Sequence, residues 1–306
     1  MAESIDQVTA IQFNSGLYAL AQQKESKFAS RCRIERVSSA EFAYWDTIAA
    51  EDLPEQSVVR HGPTPLSETE FGRRKATPYL WHKGEMLDRY DMDRMRHDPK
   101  GSILTAFAQS FGRKKDDIII DALLGTARIG KTGAGSVDLY EESRGMNGDG
   151  TFAAVGTLPT AETETVMTLA KILAMGQRFN EDDVDPDVQK HWAVRPDAIA
   201  DMLDLEEIGS SDYNTVKAIQ QGKVDTYAGF SWFWSNRLPA DAAGDTCWRT
   251  IAFTQGACIL AYIGDLTSEF SKRADLRNET QLYSRMDLGA VRMEGVQVHE
   301  CLLLKS

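Results

Sequence analysis

The 306-residue sequence has no long apolar run, no paired-cysteine spacing and little proline. The longest apolar stretch towards its end, Ala257 to Ile263, is far shorter than the roughly 20 residues that cross a bilayer. Cys32, Cys247, Cys258 and Cys301 are scattered without a Cys-x-x-Cys pair, which excludes a zinc ribbon or a disulfide framework and leaves buried free thiols as the expectation. His61, His82, His97, His191 and His299 show no His-x-x-x-His or His/Cys spacing, so no metal site and no cofactor is expected. No Gly-x-Ser-x-Gly elbow is present, so acyl transfer has no candidate nucleophile. The opening Met-Ala-Glu-Ser-Ile-Asp-Gln is not a basic stretch followed by an apolar one, so a soluble intracellular product without a signal peptide is expected. Nine prolines and 23 glycines are too few for a disordered or collagen-like polymer.

What the chain does have is acid. Formal charge is −12, so the molecule as a whole repels polyphosphate and is no general nucleic-acid binder. The charge is also uneven. Residues 73–115 carry 11 Lys or Arg against 5 acids, a local +6, whereas residues 176–246 carry 6 against 14, a local −8. The two halves either face each other within one chain or let the basic part of one copy lie over the acidic part of the next.

Along the chain, 1–30 reads as an arm that gains order from its neighbours. Short β-like pieces at 31–37, 41–48 and 77–81, separated by Pro54, Gly62, Pro63, Pro65 and Gly72, read as a long hairpin reaching away from the body. Asp98-Pro99 opens the strongest helix, with Ile103, Phe107 and Phe111 at spacing four and a kink expected at Gly112. Glycine-rich turns follow to residue 160. A second helix is expected over 161–174, capped by Thr160, with Val166, Leu169 and Leu173 facing a core. Then come an acidic turn at 181–187, a strand at 191–195, helices at 197–205 and 212–221, and mostly β structure to 304. Helices and strands mix without a βαβ rhythm, so the class is α+β.

Gly125-Thr-Ala-Arg-Ile-Gly-Lys131-Thr132 satisfies G-x-x-x-x-G-K-[ST], the phosphate-cradling loop of nucleotide hydrolases. That chemistry needs a strand before the loop and a helix after it. Here a helix precedes, and Gly133-Ala-Gly-Ser-Val follows. A nucleotide hydrolase using Lys131 and Thr132 remains the less favoured alternative. Asn147-Gly-Asp-Gly150 reads as a plain turn rather than a calcium loop, and Asp182, Asp183, Asp185 and Asp187 read as a solvated tip.

The segment Gly222-Lys-Val-Asp-Thr-Tyr-Ala-Gly-Phe-Ser-Trp-Phe-Trp-Ser-Asn-Arg-Leu-Pro239 resembles the G-x-[IV]-x-x-[YF]-x-G-F-x-x-x-x-S-N-x-[IL]-P segment of tailed-phage major capsid proteins. Ala193–Leu203, Trp248–Ala257 and Leu288–His299 resemble further pieces of that family in the same order. The resemblance implies a tailed-phage capsid fold: an N-terminal arm (1–30), an extended β-hairpin loop (31–90), a peripheral domain (91–176) with a spine helix at 98–124, an axial domain (177–265), and C-terminal strands (266–306) returning to the peripheral domain. It implies a major capsid protein that self-assembles through hexamers and pentamers into an icosahedral head around double-stranded DNA, held without sequence specificity. Scaffold, cement and portal proteins are the accessory partners to expect, with no membrane partner, in a virion assembled in the host cytoplasm. An encapsulin-like nanocompartment shell is the alternative within the same fold.

A shell subunit needs no active site, but it does need projecting elements that bury apolar surface on a neighbour. Trp45, Tyr79, Leu80 and Trp81 on the loop, with the basic run Arg73, Arg74 and Lys75, are therefore the candidate inter-subunit residues. Packing between the loop's own strands is the competing reading of the aromatics. The arm begins at once, and no lysine can be assigned a partner for welding neighbours, so assembly on a separate scaffold or on none is expected.

Overall fold

The computed structural model describes residues 22–38, 41–51, 53, 54, 56, 66, 68–95, 98–160, 165–204, 226–241 and 246–305. In chain order these form β1 (Arg33–Arg36), β2 (Ala43–Ile48), β3 (Phe71–Ala76), β4 (Tyr79–Leu87), α1 (Arg89–Arg94), α2 (Lys100–Leu124), β5 (Ala127–Ile129), β6 (Gly135–Val137) and α3 (Leu139–Glu142). There follow α4 (Leu169–Glu181), β7 (Lys190–Val194), α5 (Pro196–Asp204), β8 (Thr226–Tyr227), β9 (Phe230–Trp234), β10 (Cys247–Thr254), β11 (Cys258–Arg273), β12 (Glu279–Arg292) and β13 (Val298–Leu304). The strands make three sheets, ordered β1-β11-β12-β4, β13-β10-β7-β9-β8 and β2-β3-β5-β6.

The long helix α2 organises all of this. Asp98 accepts the Lys100 N–H at its start (3.1 Å). Its Ile119 and Leu123 pack with Phe253 and Ile251 of β10, Leu260 of β11, and Met286 and Leu288 of β12, so one helix face joins two sheets in a single core. Full burial of each such side chain is worth about 1.5–3 kcal/mol. α2 has no basic residue in its own last turn. Arg292 of β12 supplies that charge instead: wholly buried, its guanidinium donates to the carbonyls of Leu123 (3.2 Å), Gly125 (2.5 Å) and Val137 (3.1 Å). A cation there satisfies carbonyls that the helix leaves unpaired and opposes the negative end of its dipole.

The helix runs unbroken through Gly112, and the glycine has a different use. A Cβ there would lie 3.3 Å from the Ser26 nitrogen and 3.4 Å from the Glu25 carbonyl carbon, so its absence lets the root of the arm cross the helix. One turn further on, buried Asp116 accepts from the Ser26 hydroxyl and from the main-chain N–H groups of Lys27 (3.0 Å) and Phe28 (3.2 Å). Phe28, fully buried, stacks at 6.1 Å on Phe253 and meets Phe233 edge-on at 4.9 Å.

Several expectations change. The second helix begins at Leu169, with Thr168 rather than Thr160 at its cap. Residues 165–168 are not helical, and Leu173 is 58 % exposed. The buried stripe is Lys171, Ile172, Met175 and Phe179. Lys171 disguises the pattern because its aliphatic stem lies in the core while its amine donates to the carbonyls of Thr165 (2.8 Å) and Leu302 (3.3 Å). Burial lowers the pKa of that amine.

The segment 31–90 is not one hairpin. β2 and β3 pair with each other, whereas β1 pairs in parallel with β11 and β4 pairs antiparallel with β12. β3 extends the ribbon through Arg73, Arg74 and Lys75, a basic run with little β signature. At the C-terminal end, position 265/266 falls inside the continuous strand β11, and β13 joins the sheet of β7, β9 and β10. The segment expected as a helix at 212–221 lies outside the described residues, as do residues 1–21. All four cysteines are buried and free.

Gly125–Thr132 is not a phosphate loop. Gly125 ends α2, residues 127–129 are β5, and the chain turns through Gly130 (φ 88°) and Gly133 (φ 70°) into β6. Gly130 and Gly133 serve a hairpin turn in the left-handed region, and the element after Lys131 is a strand, not a helix.

Candidate functional site

The β2–β3 register pairs Tyr44 with Lys75, Trp45 with Arg74, Asp46 with Arg73 and Ile48 with Phe71. Because side chains alternate along a strand, this divides the candidate residues between two faces. Trp45 and Arg74 point inward. The Trp45 ring packs on the cluster of Ala43, Ala76, Ile259 and Val291, and its indole N–H donates to Glu35 (2.5 Å). Arg74 is buried, donates to the Met293 carbonyl (2.9 Å) and pairs with Glu142. Glu142 also faces Arg292 at 3.6 Å, so one carboxylate ties the ribbon to the cap of α2.

Arg73 and Lys75 occupy the solvent face. Arg73 makes a two-point pair with Asp46 (Nε to Oδ1 2.5 Å, Nη2 to Oδ2 3.1 Å), which lowers the pKa of that carboxyl. The Lys75 amine sits 3.5 Å from the centre of the Phe42 ring. β5 adds Arg128 directly beside Lys75. At the end of the ribbon Ile48 and Phe71 form a cross-strand pair that is 66 % and 74 % exposed, so it is an apolar pair without a core. Periodicity did not single out Phe71 or Arg128. Phe71 could have been found as a large apolar residue next to the turn former Gly72.

The structure does not bring Tyr79 and Trp81 to this face. They lie on β4 in a different sheet, opposite Leu288 and Met286 of β12. Tyr79 is 63 % exposed and Leu80 is also exposed. Trp81 packs against the α2 core, with the Lys114 amine 4.1 Å from its ring. Trp45 and Trp81 are thus engaged within the chain, whereas Arg73, Lys75 and Tyr79 stay on the surface.

Ser143, His299 and Asp182 meet inside the molecule, although nothing in their sequence spacing suggests it. The Ser143 hydroxyl donates to the Val298 carbonyl (2.6 Å) and lies 2.8 Å from His299 Nδ1, while His299 Nε2 is 3.2 Å from Asp182. Ser143 and His299 are sealed from solvent, and a hydroxyl committed to a carbonyl has no route to a substrate. The cluster joins the ends of α3 and α4 to β13. Among the described residues no group of three or more His, Cys, Asp or Glu is gathered closely enough to hold a metal ion, and no helix there is long and apolar enough to cross a membrane.

The fold of this chain is shared with solved capsids. The chain is similar to the capsid of Ralstonia phage GP4 (TM-score 0.71, 15 % identity, 100 % of this chain and 98 % of that one) and to the capsid of cyanophage P-SCSP1u (0.71, 14 %, 100 % and 96 %). It is likewise similar to the capsid of cyanophage Pam1 (0.69, 14 %, 99 % and 99 %). No curated protein matches it. At these identities the likeness establishes the fold, which is that of the tailed-phage capsid. A family profile described as phage capsid protein matches residues 5–302. The chain therefore belongs to the phage capsid protein family, and it is a major capsid protein, a building block of a phage head shell.

Proposed function

We propose that copies of this chain, arranged as hexamers and pentamers, close into the icosahedral wall around double-stranded DNA, with the β2–β3 ribbon of each copy lying on its neighbour. The carrying observation is the exposed pair Ile48 and Phe71 at the end of a ribbon whose other face is already tied down. Apolar surface of that kind is stabilised by burial on another subunit, and a head-to-tail contact between identical chains closes into rings. Residues 1–30 act as the arm, the β2–β3 ribbon within 31–90 as the extended loop, 91–176 with α2 as the peripheral domain and 177–265 as the axial domain. The strands after 265 complete the subunit. Arg73, Lys75 and Tyr79 contact the neighbour directly, and Trp45, Arg74 and Trp81 hold the loop in the posture that makes the contact. The inner wall faces the genome without sequence readout, because a net charge of −12 disfavours tight grip on phosphate. Assembly takes place in the host cytoplasm, with scaffold, cement and portal proteins as accessory partners.

Electron microscopy of the purified protein tests this reading. Closed shells of uniform diameter, holding DNA when isolated from infected cells, are expected. Small soluble species at every concentration and ionic strength contradict it, and shells filled with a protein cargo identify a nanocompartment instead.

A further inference from the structure

The solvent face of the β2-β3-β5-β6 sheet carries an in-register row, Tyr44, Lys75, Arg128 and Ser136, one from each strand. Lys131 stands in the adjoining turn, where the Tyr44 hydroxyl reaches the Thr132 carbonyl at 3.5 Å. Arg73, on the same face as Lys75, is neutralised by Asp46. Lys75, Arg128 and Lys131 form no ion pair with any described residue. Lys131 of the GKT sequence lines a surface cavity beside this row, together with Asp46, Arg73 and Ile129.

A matching set of anions lies elsewhere in the chain. At the turn between α4 and β7, Glu181 and Asp182 are both taken by Arg178. Asp183, Asp185 and Asp187 are exposed and pair with no described cation. Asp183 adopts a left-handed φ of 53° within this turn. No ion pair between described residues joins these two sets.

We infer that the Lys75–Arg128–Lys131 face is a docking surface for the Asp183–Asp187 turn of a second copy of this chain. The inference rests on the shell reading above and names the surface that receives the ribbon. Lys75 and Arg128 on the sheet face, with Lys131 in the adjoining turn, pair with no described carboxylate, and Asp183, Asp185 and Asp187, at alternate positions of one turn, pair with no described cation. The contact is heterologous, the type that closes rings, and complementary charge sets register and encounter rate more than bulk affinity. Packaged DNA is the less favoured occupant, because a patch this small, with Asp46 in it, offers phosphate only a few contacts.

The test is reciprocal charge reversal in the full-length chain. One variant carries Arg128→Glu and Lys131→Glu, leaving Lys75 in place because its stem packs over Gly133. The second carries Asp185→Lys and Asp187→Lys, and the third carries all four substitutions. Each single-sided reversal is expected to lower shell yield by about tenfold or more, with an unchanged melting temperature, and the four-fold variant to recover most of the yield. The neutral pair Arg128→Gln and Lys131→Gln gives a smaller loss in the same direction and supplies the readout if a reversed chain misfolds. Wild-type yield from either single-sided variant overturns the inference, as does failure of the combined variant to recover. Normal shells that lose nucleic acid assign the patch to the genome and also overturn it. Wild-type protein is assembled alongside: absence of wild-type shells contradicts the shell reading itself, whereas wild-type shells indifferent to these charges contradict only the docking.

Discussion

Asp116, buried on α2, accepts the main-chain N–H of Phe28 at 3.2 Å, so a carboxylate on the longest helix fixes the point where the arm enters the body. With Lys27 N–H and the hydroxyl of Ser26 it holds the turn that seats Phe28 between Phe233 and Phe253. Replacing Asp116 by Ala leaves those donors buried without an acceptor and is expected to cost about 2–3 kcal/mol. Asn keeps part of the geometry and costs less. Denaturant unfolding measures the loss, and limited trypsin digestion reads the local effect as faster cleavage after Lys24 and Lys27. Unchanged cleavage in the Ala variant contradicts the assignment.

Arg292 is a second fixture on the same helix, at its C-terminal end. Arg292→Met removes the donor to Leu123, Gly125 and Val137 and leaves Glu142 with Arg74 alone. A loss of about 3–5 kcal/mol is expected for breaking so buried a set. Hydrogen exchange should rise first in the last turn of α2, before the rest of the helix, and a uniform rise along α2 contradicts the capping role.

His191 makes stability depend on pH with a definite sign. Burial, reinforced by the nearby charge of Arg31, pushes its pKa from 6.5 down to about 4 in the folded chain. Between those values the unfolded chain binds the proton and the folded one does not. This contribution to stability is therefore full above about pH 6.5, falls as pH drops towards 4, and loses nothing further below that. Carboxylates also titrate in the lower part of this range, so the informative quantity is the difference between wild type and His191→Leu. The variant's melting temperature should fall less steeply between pH 6.5 and 4, and parallel curves contradict the assignment.

The sequence displayed α2 to within two residues, because Asp98-Pro99 and the spacing of Phe107 and Phe111 are local signals. It misplaced α4 by eight residues, because a core position is filled by Lys171, whose charge hides the stripe until the carbonyls of Thr165 and Leu302 are seen to receive it. The loop at 31–90 was legible as β structure but not as strands of two sheets. Its partners β11 and β12 lie about two hundred residues away, and pairing at that separation leaves no trace in local pattern. Among the candidate interface residues, alternation along β3 explains why Arg74 is buried between two half-buried cations on the opposite face. Nothing in Arg73-Arg74-Lys75 alone says which of the three will find a carboxylate inside.

The account turns on surfaces that remain open in one chain and close on another. Hydroxyl-radical footprinting of Phe71 and Tyr79, compared between dissociated subunits and intact shells, tests this most directly. Strong protection of Phe71 on assembly, together with protection of Tyr79, is the expected result. Equal labelling of both residues in the two states, with the ribbon end still in solvent inside a finished shell, would contradict it.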